Sequence, residues 1–223
     1  NVGLARWSLT MLDYFNELHE KFPEEFNLVK DLDKKKNILL AAGLYQETIS
    51  VEEQFSVIQT RIVDLSTGLF VEVEDANAFD QRKAAKDPAT SQALDGSTDI
   101  AKISRRENQA VVYIVESDSE FDKIILPVHG YGLWSTLYGF VALESDLNTI
   151  AGLGFYDHGE TPGLGGEIDN PRWKAFWPGK QVYKDGAVAI EVIKGSVMSG
   201  SANASYQVDG LSGATLTSRG VSN

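Results

Sequence analysis

The sequence predicts an α+β fold, a twisted and largely antiparallel sheet with flanking helices, and three observations carry that reading. Apolar residues recur at helical spacing in the first forty or so positions, β-rich runs then follow one another from Arg61 onward, and no internal repeat or low-complexity tract interrupts them. A chain of 223 residues can bury one sizeable core, and nothing in the composition divides it. The expected organisation is an amphipathic helical segment at residues 1–29 joined to one domain at 30–223.

Taken in order, Trp7, Met11, Tyr14, Phe15, Leu18 and Phe22 trace one face of a helix that Pro23 stops. A second helix is expected from near Val29 through DLDKKKNILLAA to Gly43, a residue suited to the left-handed cap. Ser50-Val-Glu-Glu53 has capping-box spacing for a short third helix. RIVDL and LFVEV flank Ser66-Thr67-Gly68 as a hairpin, and VVYIV, KIILPV, YGFVALE, IAGLGFY and VAIEVI supply five further β-rich runs. Between them, residues 80 to 107 are polar and charged and read as a solvated helix-and-loop insertion. Residues 124 to 143 carry no Asp, Glu, Lys or Arg and match a membrane span in length. Pro127, His129 and the clustered glycines instead mark a break between two buried strands.

Composition excludes several chemistries. Twenty Lys plus Arg against 32 Asp plus Glu leave a net charge of −12, which repels nucleic acid and anionic lipid. Without cysteine there is no disulfide, thiolate metal site, iron-sulfur cluster or thiol nucleophile, and His19, His129 and His158 make a weak metal set. No metal site and no catalytic residue is assigned. Secretory-signal texture is absent from the first residues, since Trp7-Ser8-Leu9-Thr10 leads into acidic residues.

Two glycine-rich segments could hold chemistry. Gly159-Glu-Thr-Pro-Gly-Leu-Gly-Gly-Glu167 is no dinucleotide fingerprint, because Ile168 stands where a third glycine is needed, and it lacks the lysine of a phosphate loop. It reads either as a sharp strand-to-helix connection or as a place where a flat ligand approaches the backbone. In Asp209-Gly-Leu-Ser-Gly-Ala-Thr-Leu-Thr-Ser218, a helix starting near Ser212 to Thr215 aims unpaired N–H groups outward. Those amides suit an anion, or Ser212 or Thr215 simply caps them.

The run DGLSGATLTS resembles the Asp-Gly-x-Ser/Thr-Gly-Ala-Thr signature of covalent FMN-binding domains, in which the final Thr of the Ser-Gly-Ala-Thr element is esterified to the flavin phosphate. KKNILLAAGL, AFDQRKAAKD, ILPVHGYGLWSTLYGFVALE and GETPGLGGEIDNPRW extend the likeness over most of residues 30 to 223, to the NqrC subunits of the sodium-translocating NADH:quinone oxidoreductases. A related flavin-bearing subunit of Rnf-type electron-transport complexes shares the flavin signature, but the GLWS and ETPGLGGE segments favour the sodium pump.

The resemblance implies a single FMN-binding domain with covalent FMN on Thr215 and with Ser212, Gly213, Ala214 and Thr217 around the phosphate. Gly130, Gly132, Leu133, Trp134, Glu160, Thr161, Leu164 and Gly165 are the candidates for the isoalloxazine pocket, combining apolar walls with backbone polar groups. Trp134 reads equally as core packing, His129 as a satisfied structural residue, and Glu160 and Glu167 as carboxylates that would repel a reduced flavin. The implied role is a one-electron carrier within a respiratory, ubiquinone-reducing translocase of the bacterial inner membrane, its soluble domain on the periplasmic side. No complete active site lies on this chain, so NADH oxidation and sodium transport fall to partner subunits, and an FAD-dependent flavin transferase attaches the cofactor. A noncovalent flavin-binding module and a purely structural domain remain as other readings. Family members usually begin with a membrane-spanning helix and continue past the flavin signature into an aromatic helical tail. This sequence stops eight residues after Thr215, and residues 1–29 have that tail's character, as in a permuted order that joins the last helix spatially to the first.

Overall fold

In the computed structural model, which describes residues 20–223, the first helix is α1 (Pro23–Ala41). Pro23 occupies its first turn, where a missing N–H costs nothing, so the proline opens this helix. α1 therefore begins ahead of the expected Val29 and runs across the 29/30 division. The helix expected at residues 7 to 22 lies almost wholly outside the described residues, as does any spatial link between the two chain ends. At the other terminus, Gly43 takes φ +70° and its N–H bonds Leu40 O at 3.2 Å, while Leu44 N–H reaches Leu39 O at 2.9 Å. This pair of bonds closes the last carbonyls of the helix, the role foreseen for that glycine. Ser50 Oγ accepts from Glu53 N–H at 3.3 Å and caps α2 (Val51–Phe55).

β1 (Ile58–Asp64) and β2 (Phe70–Val71) make the expected hairpin, with Asp64 Oδ1 accepting the N–H groups of Ser66 and Thr67 at the turn. The polar stretch after it contains α3 (Gln81–Lys86), capped by Asp80, and the small antiparallel pair β3 (Ser91–Ala93) and β4 (Arg105–Glu107). Four long strands follow: β5 (Gln109–Ser117), β6 (Glu120–Tyr131), β7 (Thr136–Glu144) and β8 (Ile150–Asp157). Asp118 and Ser119 between β5 and β6 both have positive φ, the two-residue turn whose twist matches that of its flanking strands. Together the strands form one sheet in the order β2-β1-β5-β6-β7-β8 with every neighbour antiparallel.

The uncharged run 124–143 is thus most of β6, a loop and most of β7; among the described residues no helix is long and apolar enough to cross a membrane. Pro127 does not interrupt β6 as expected. Pairing with β5 stops at Tyr113↔Ile125, so farther along the strand has β7 on one side only, and a residue without N–H is tolerated there. The break falls instead at residues 132–135.

After β8 the chain is mostly irregular. It contains α4 (Pro171–Lys174), the hairpin β9 (Tyr183–Lys184) and β10 (Ala187–Val188), the parallel pair β11 (Glu191–Val192) and β12 (Gln207–Val208), and the terminal helix α5 (Thr215–Ser222). VAIEVI, expected as one strand, is split between β10 and β11 because Ala189 and Ile190 N–H both turn to Val182 O.

Strand alternation gives the sheet two apolar faces. One packs Ile38, Leu39, Ala41 and Ala42 of α1 against Ile62, Tyr113, Ile125 and Phe140. The other packs Leu137, Leu153 and Phe155 against Ile168, Trp173, Trp177, Val208, Leu211 and Ala214 from the irregular C-terminal segment. That second layer carries the glycine-rich segments.

Candidate functional site

The site is organised around one buried carboxylate. β8 ends at Asp157 and leads into Glu160, which is 5% exposed. Its Oε1 accepts the N–H groups of Leu133 and Trp134 at 3.0 and 2.9 Å, and its Oε2 accepts from Thr217 Oγ1 at 2.6 Å. Burial pushes this carboxyl up, but the Thr217 hydroxyl and the amides of Trp134, Leu133 and Ser135 outweigh it and hold it below the usual carboxylate range. Glycine is required on both sides: a Cβ at Gly132 would sit 2.7 Å from Oε1, and one at Gly165 would sit 2.6 Å from Oε2 and 2.5 Å from Thr217 Oγ1. The β6–β7 loop, the 159–167 segment and α5 thus meet at Glu160.

Further contacts fix this junction. Ser135 Oγ accepts Gly159 N–H at 2.6 Å. His158 lies 2.7 Å from Asp169 Oδ2 through Nε2, and its Nδ1 accepts Glu160 N–H at 3.2 Å. With Nε2–H donating to Asp169, both ring nitrogens are used and Glu160 is held through its backbone as well as its side chain.

α5 begins at Thr215, and no side chain caps it; the preceding Ala214 has no cap to offer. The capping alternative for Ser212 and Thr215 is therefore not used, and the first amides of the helix have no side-chain acceptor. Ser212, Gly213 and Thr215 are exposed and Ala214 is buried. The Thr215 hydroxyl makes no hydrogen bond among the described residues. It opens on a cleft of about 230 Å³ shared with Lys194 and Arg219, neither of which is in an ion pair among the described residues. Two such cations beside an uncapped helix start, on a chain of net charge −12, form a local field that favours an anion. Thr217 differs from its neighbours: it is fully buried and its hydroxyl is committed to Glu160.

The ring-pocket candidates converge from two segments. Gly132, Leu133 and Trp134 are joined to Glu160 as described; Leu164 lies against Gly213, where a Cβ would meet its Cδ2 at 3.1 Å. Thr161 O accepts the N–H groups of Leu164 and Gly166 at 3.1 and 2.9 Å, folding that loop on itself. Trp134 is 64% exposed, so it is not core, and Leu133, Leu164 and Leu216 are exposed too. Exposed apolar side chains tied to the base of an anion-seeking helix suit a flat, amphipathic ring joined to a phosphate. Gly130 stands farther down β6, buried beside Ala101 and Gly220. His129 stacks on the Tyr138 ring at 5.7 Å, away from this surface, which is the structural role allowed for it. Glu167 accepts from Asn170 Nδ2 at 2.7 Å and serves the turn into α4.

Several residues that build the site carry no obvious chemical signal in the sequence. Gly220 lets α5 touch the end of β6, since a Cβ there would lie 2.5 Å from Tyr131 O. Asp209 ties the signature to its surroundings twice, accepting Val197 N–H at Oδ1 and Trp173 Nε1–H at its backbone oxygen, both at 2.8 Å. Ser218 Oγ accepts Leu211 N–H at 3.1 Å and closes the loop ahead of the helix. A glycine inside a short helix is the one available hint for Gly220; Asp209 and Ser218 lie in the signature run itself.

A larger cavity, about 1,030 Å³, lies on the α1 face between α1, α3 and the strands. Its charges are matched internally, with Arg82 bonded to Asp157 at 2.7 Å and stacked 3.6 Å over Tyr138, and none of the candidate site residues lines it.

Comparison with known proteins agrees with this geometry. The FMN-binding domain family matches residues 132–223, which contain the β6–β7 loop, the 159–167 segment and α5. The NqrC subunit of the Na(+)-translocating NADH-quinone reductase of Pseudomonas aeruginosa is 57% identical over 197 residues, covering 86% of this chain and 76% of the relative. The corresponding subunit from Vibrio anguillarum is 53% identical, covering 85% and 73%. The solved structure of NqrC from Shewanella oneidensis superposes with a TM-score of 0.78 at 39% identity, covering 86% of this chain and 89% of that one. Its counterpart from Parabacteroides distasonis gives 0.70 at 31% identity, covering 90% and 89%. These relatives decide between the two resemblances in the sequence, and the chain belongs to the NqrC family, subunits of the Na(+)-translocating NADH-quinone reductases, with an FMN-binding domain at its C-terminal part.

Proposed function

We propose that this chain carries FMN covalently, as a phosphoester on Thr215 Oγ1, and works as a one-electron carrier of a membrane-bound Na+-translocating NADH:quinone oxidoreductase. The observation that carries the reading is the exposed, unpartnered Thr215 hydroxyl at the first position of an uncapped helix. Attachment by an FAD-dependent flavin transferase balances simply: the Oγ1–P bond forms, the pyrophosphate bridge of FAD breaks, AMP leaves, and the hydroxyl proton passes to a base on the transferase.

Each part of the site then has a task. The uncapped amides of α5 and the Lys194 and Arg219 side chains neutralise the phosphodiester, and Gly213 and Ala214 keep the approach to Thr215 free of bulk. Leu133, Trp134, Thr161 and Leu164 offer the ring an apolar surface edged with backbone polar groups. Bound there, FMN supplies reversible one-electron chemistry, with a potential set by the charge and hydrogen bonds that the protein places around it. The phosphoester prevents loss of the cofactor. NADH oxidation and sodium movement belong to partner subunits, and the domain faces the periplasm, where the transferase meets it.

Intact-mass measurement of protein produced together with a flavin transferase should show the increment of one FMN, and Thr215→Val should abolish it with the fold retained by circular dichroism. Flavin that stays with acid-precipitated Thr215→Val protein would place the bond elsewhere and overturn the assignment.

A further inference from the structure

We propose that Glu160 is a positioning residue that assembles the flavin-attachment platform before any flavin arrives, and that it is not itself a flavin ligand. The proposal rests on the covalent-FMN reading for its biological setting, but its structural content is independent of it.

The geometry points to this role because the carboxylate is already spent on the protein. Both acceptor positions of Oε1 are filled by backbone N–H groups of the β6–β7 loop, and Oε2 takes the Thr217 hydroxyl. Thr217 is two residues into the helix that presents Thr215, so the Oε2 bond sets where that helix begins relative to Leu133 and Trp134. Gly132 and Gly165 close over the carboxylate so tightly that neither leaves room for a side chain, let alone a cofactor atom. The two loops and the helix have few other means of registration. Leu133 and Trp134 are exposed and lie outside any strand, and Leu164 reaches the signature only through its contact with Gly213. A charged acceptor making three hydrogen bonds at low exposure is strong enough to hold such segments, since bonds to ionised groups are roughly twice as strong as neutral ones. A transferase must present FAD to Thr215 in a defined orientation, and mispositioning by about an ångström is enough to slow a group transfer by about a hundredfold.

The test uses the full chain with and without the transferase, and three variants. In Glu160→Ala, hydrogen exchange at the Leu133 and Trp134 amides should quicken roughly ten- to a hundredfold, as expected for lost bonds to a charged acceptor. The initial rate of FMN incorporation, read by intact mass, should fall at least about tenfold. Glu160→Gln keeps an oxygen for the two amides and a donor for Thr217 Oγ1, so both readouts should stay within about threefold of the parent protein. Thr217→Val should leave the Leu133 and Trp134 amides protected while loosening the start of α5 and slowing incorporation. This variant and Glu160→Gln keep the question open to measurement should Glu160→Ala fail to fold.

Wild-type incorporation by Glu160→Ala, or unchanged exchange at Leu133 and Trp134, overturns the proposal. Loss of flavin in Glu160→Gln with normal exchange also overturns it, because the carboxylate charge would then act on the flavin or the transferase directly. If the parent chain takes up no flavin at all while its Leu133 and Trp134 amides are protected and those of Glu160→Ala are not, the covalent-FMN reading fails and the positioning role stands.

Discussion

The two faces of the sheet are covered by opposite means. On the α1 face, one regular helix lays Ile38, Leu39, Ala41 and Ala42 onto strand residues, and its cohesion is almost entirely apolar. On the other face, short helices, two-residue strands and loops cover the sheet, and their mutual placement depends on individual polar bonds: Glu160 to three donors, Trp173 Nε1 to Asp209 O, and Ser218 Oγ to Leu211 N–H. Apolar packing is strong and indifferent to small displacements, whereas hydrogen bonds to fixed atoms specify position. The chemistry sits on the face where position is specified.

This contrast predicts that stability and function separate on mutation. Ile38 is fully buried in the α1 interface, and Ile38→Ala should cost about 2–5 kcal/mol, the usual range for such a truncation. Urea unfolding should show that loss, while the fraction of folded molecules that acquire FMN stays near that of the parent. A fall in flavin per folded molecule comparable to the stability loss would mean that the two faces are not independent.

Trp173 tests the other face. It is buried, edge-on to Trp177 at 5.5 Å, and its indole N–H holds Asp209 just ahead of the signature. Trp173→Phe keeps most of the apolar volume and leaves Asp209 O without its donor, a loss of about 1–3 kcal/mol. The expected signature is the reverse of that for Ile38: a smaller stability change with a larger drop in flavin incorporation rate, measured side by side by urea titration and intact mass. Equal effects on both would remove the distinction between packing and placement.

The same division explains what could be read from the sequence. The hairpin at Ser66-Thr67-Gly68, the cap at Gly43 and the strands of the main sheet rest on local turn chemistry and two-residue periodicity, and each appears where those signals put it. The exposed Thr215 was legible through the signature that carries it. Pro127 misled because its tolerance depends on where β5 stops pairing, a nonlocal fact. The VAIEVI run misled because its β-rich composition cannot show that Ala189 and Ile190 turn to Val182. The role of Glu160 was illegible for the same reason: its partners are 26, 27 and 57 residues away, and spacing along the chain gives no hint of them.

The smallest expected effect concerns acid. The Glu160 carboxyl is held below its ordinary range, so its contribution to stability is complete above the unfolded-state value and is lost as pH falls through the lower folded-state value. Glu160→Gln has no such titration, so its melting temperature should decline less steeply on acidification below the ordinary carboxylate range. The change is partial because Asp64, Asp95 and Asp146 are also held low by hydroxyl and amide donors in their turns. Those three are fully exposed and keep their acid dependence in the variant. Of the four, only Glu160 ties separate segments together, so the acid limb lost in Glu160→Gln should coincide with the pH at which the Leu133 and Trp134 amides of the parent lose protection. If the two variables part company, with the limb unchanged while the amides still open, the carboxylate holds the loop without stabilising the fold, and placement on this face has no thermodynamic weight of its own.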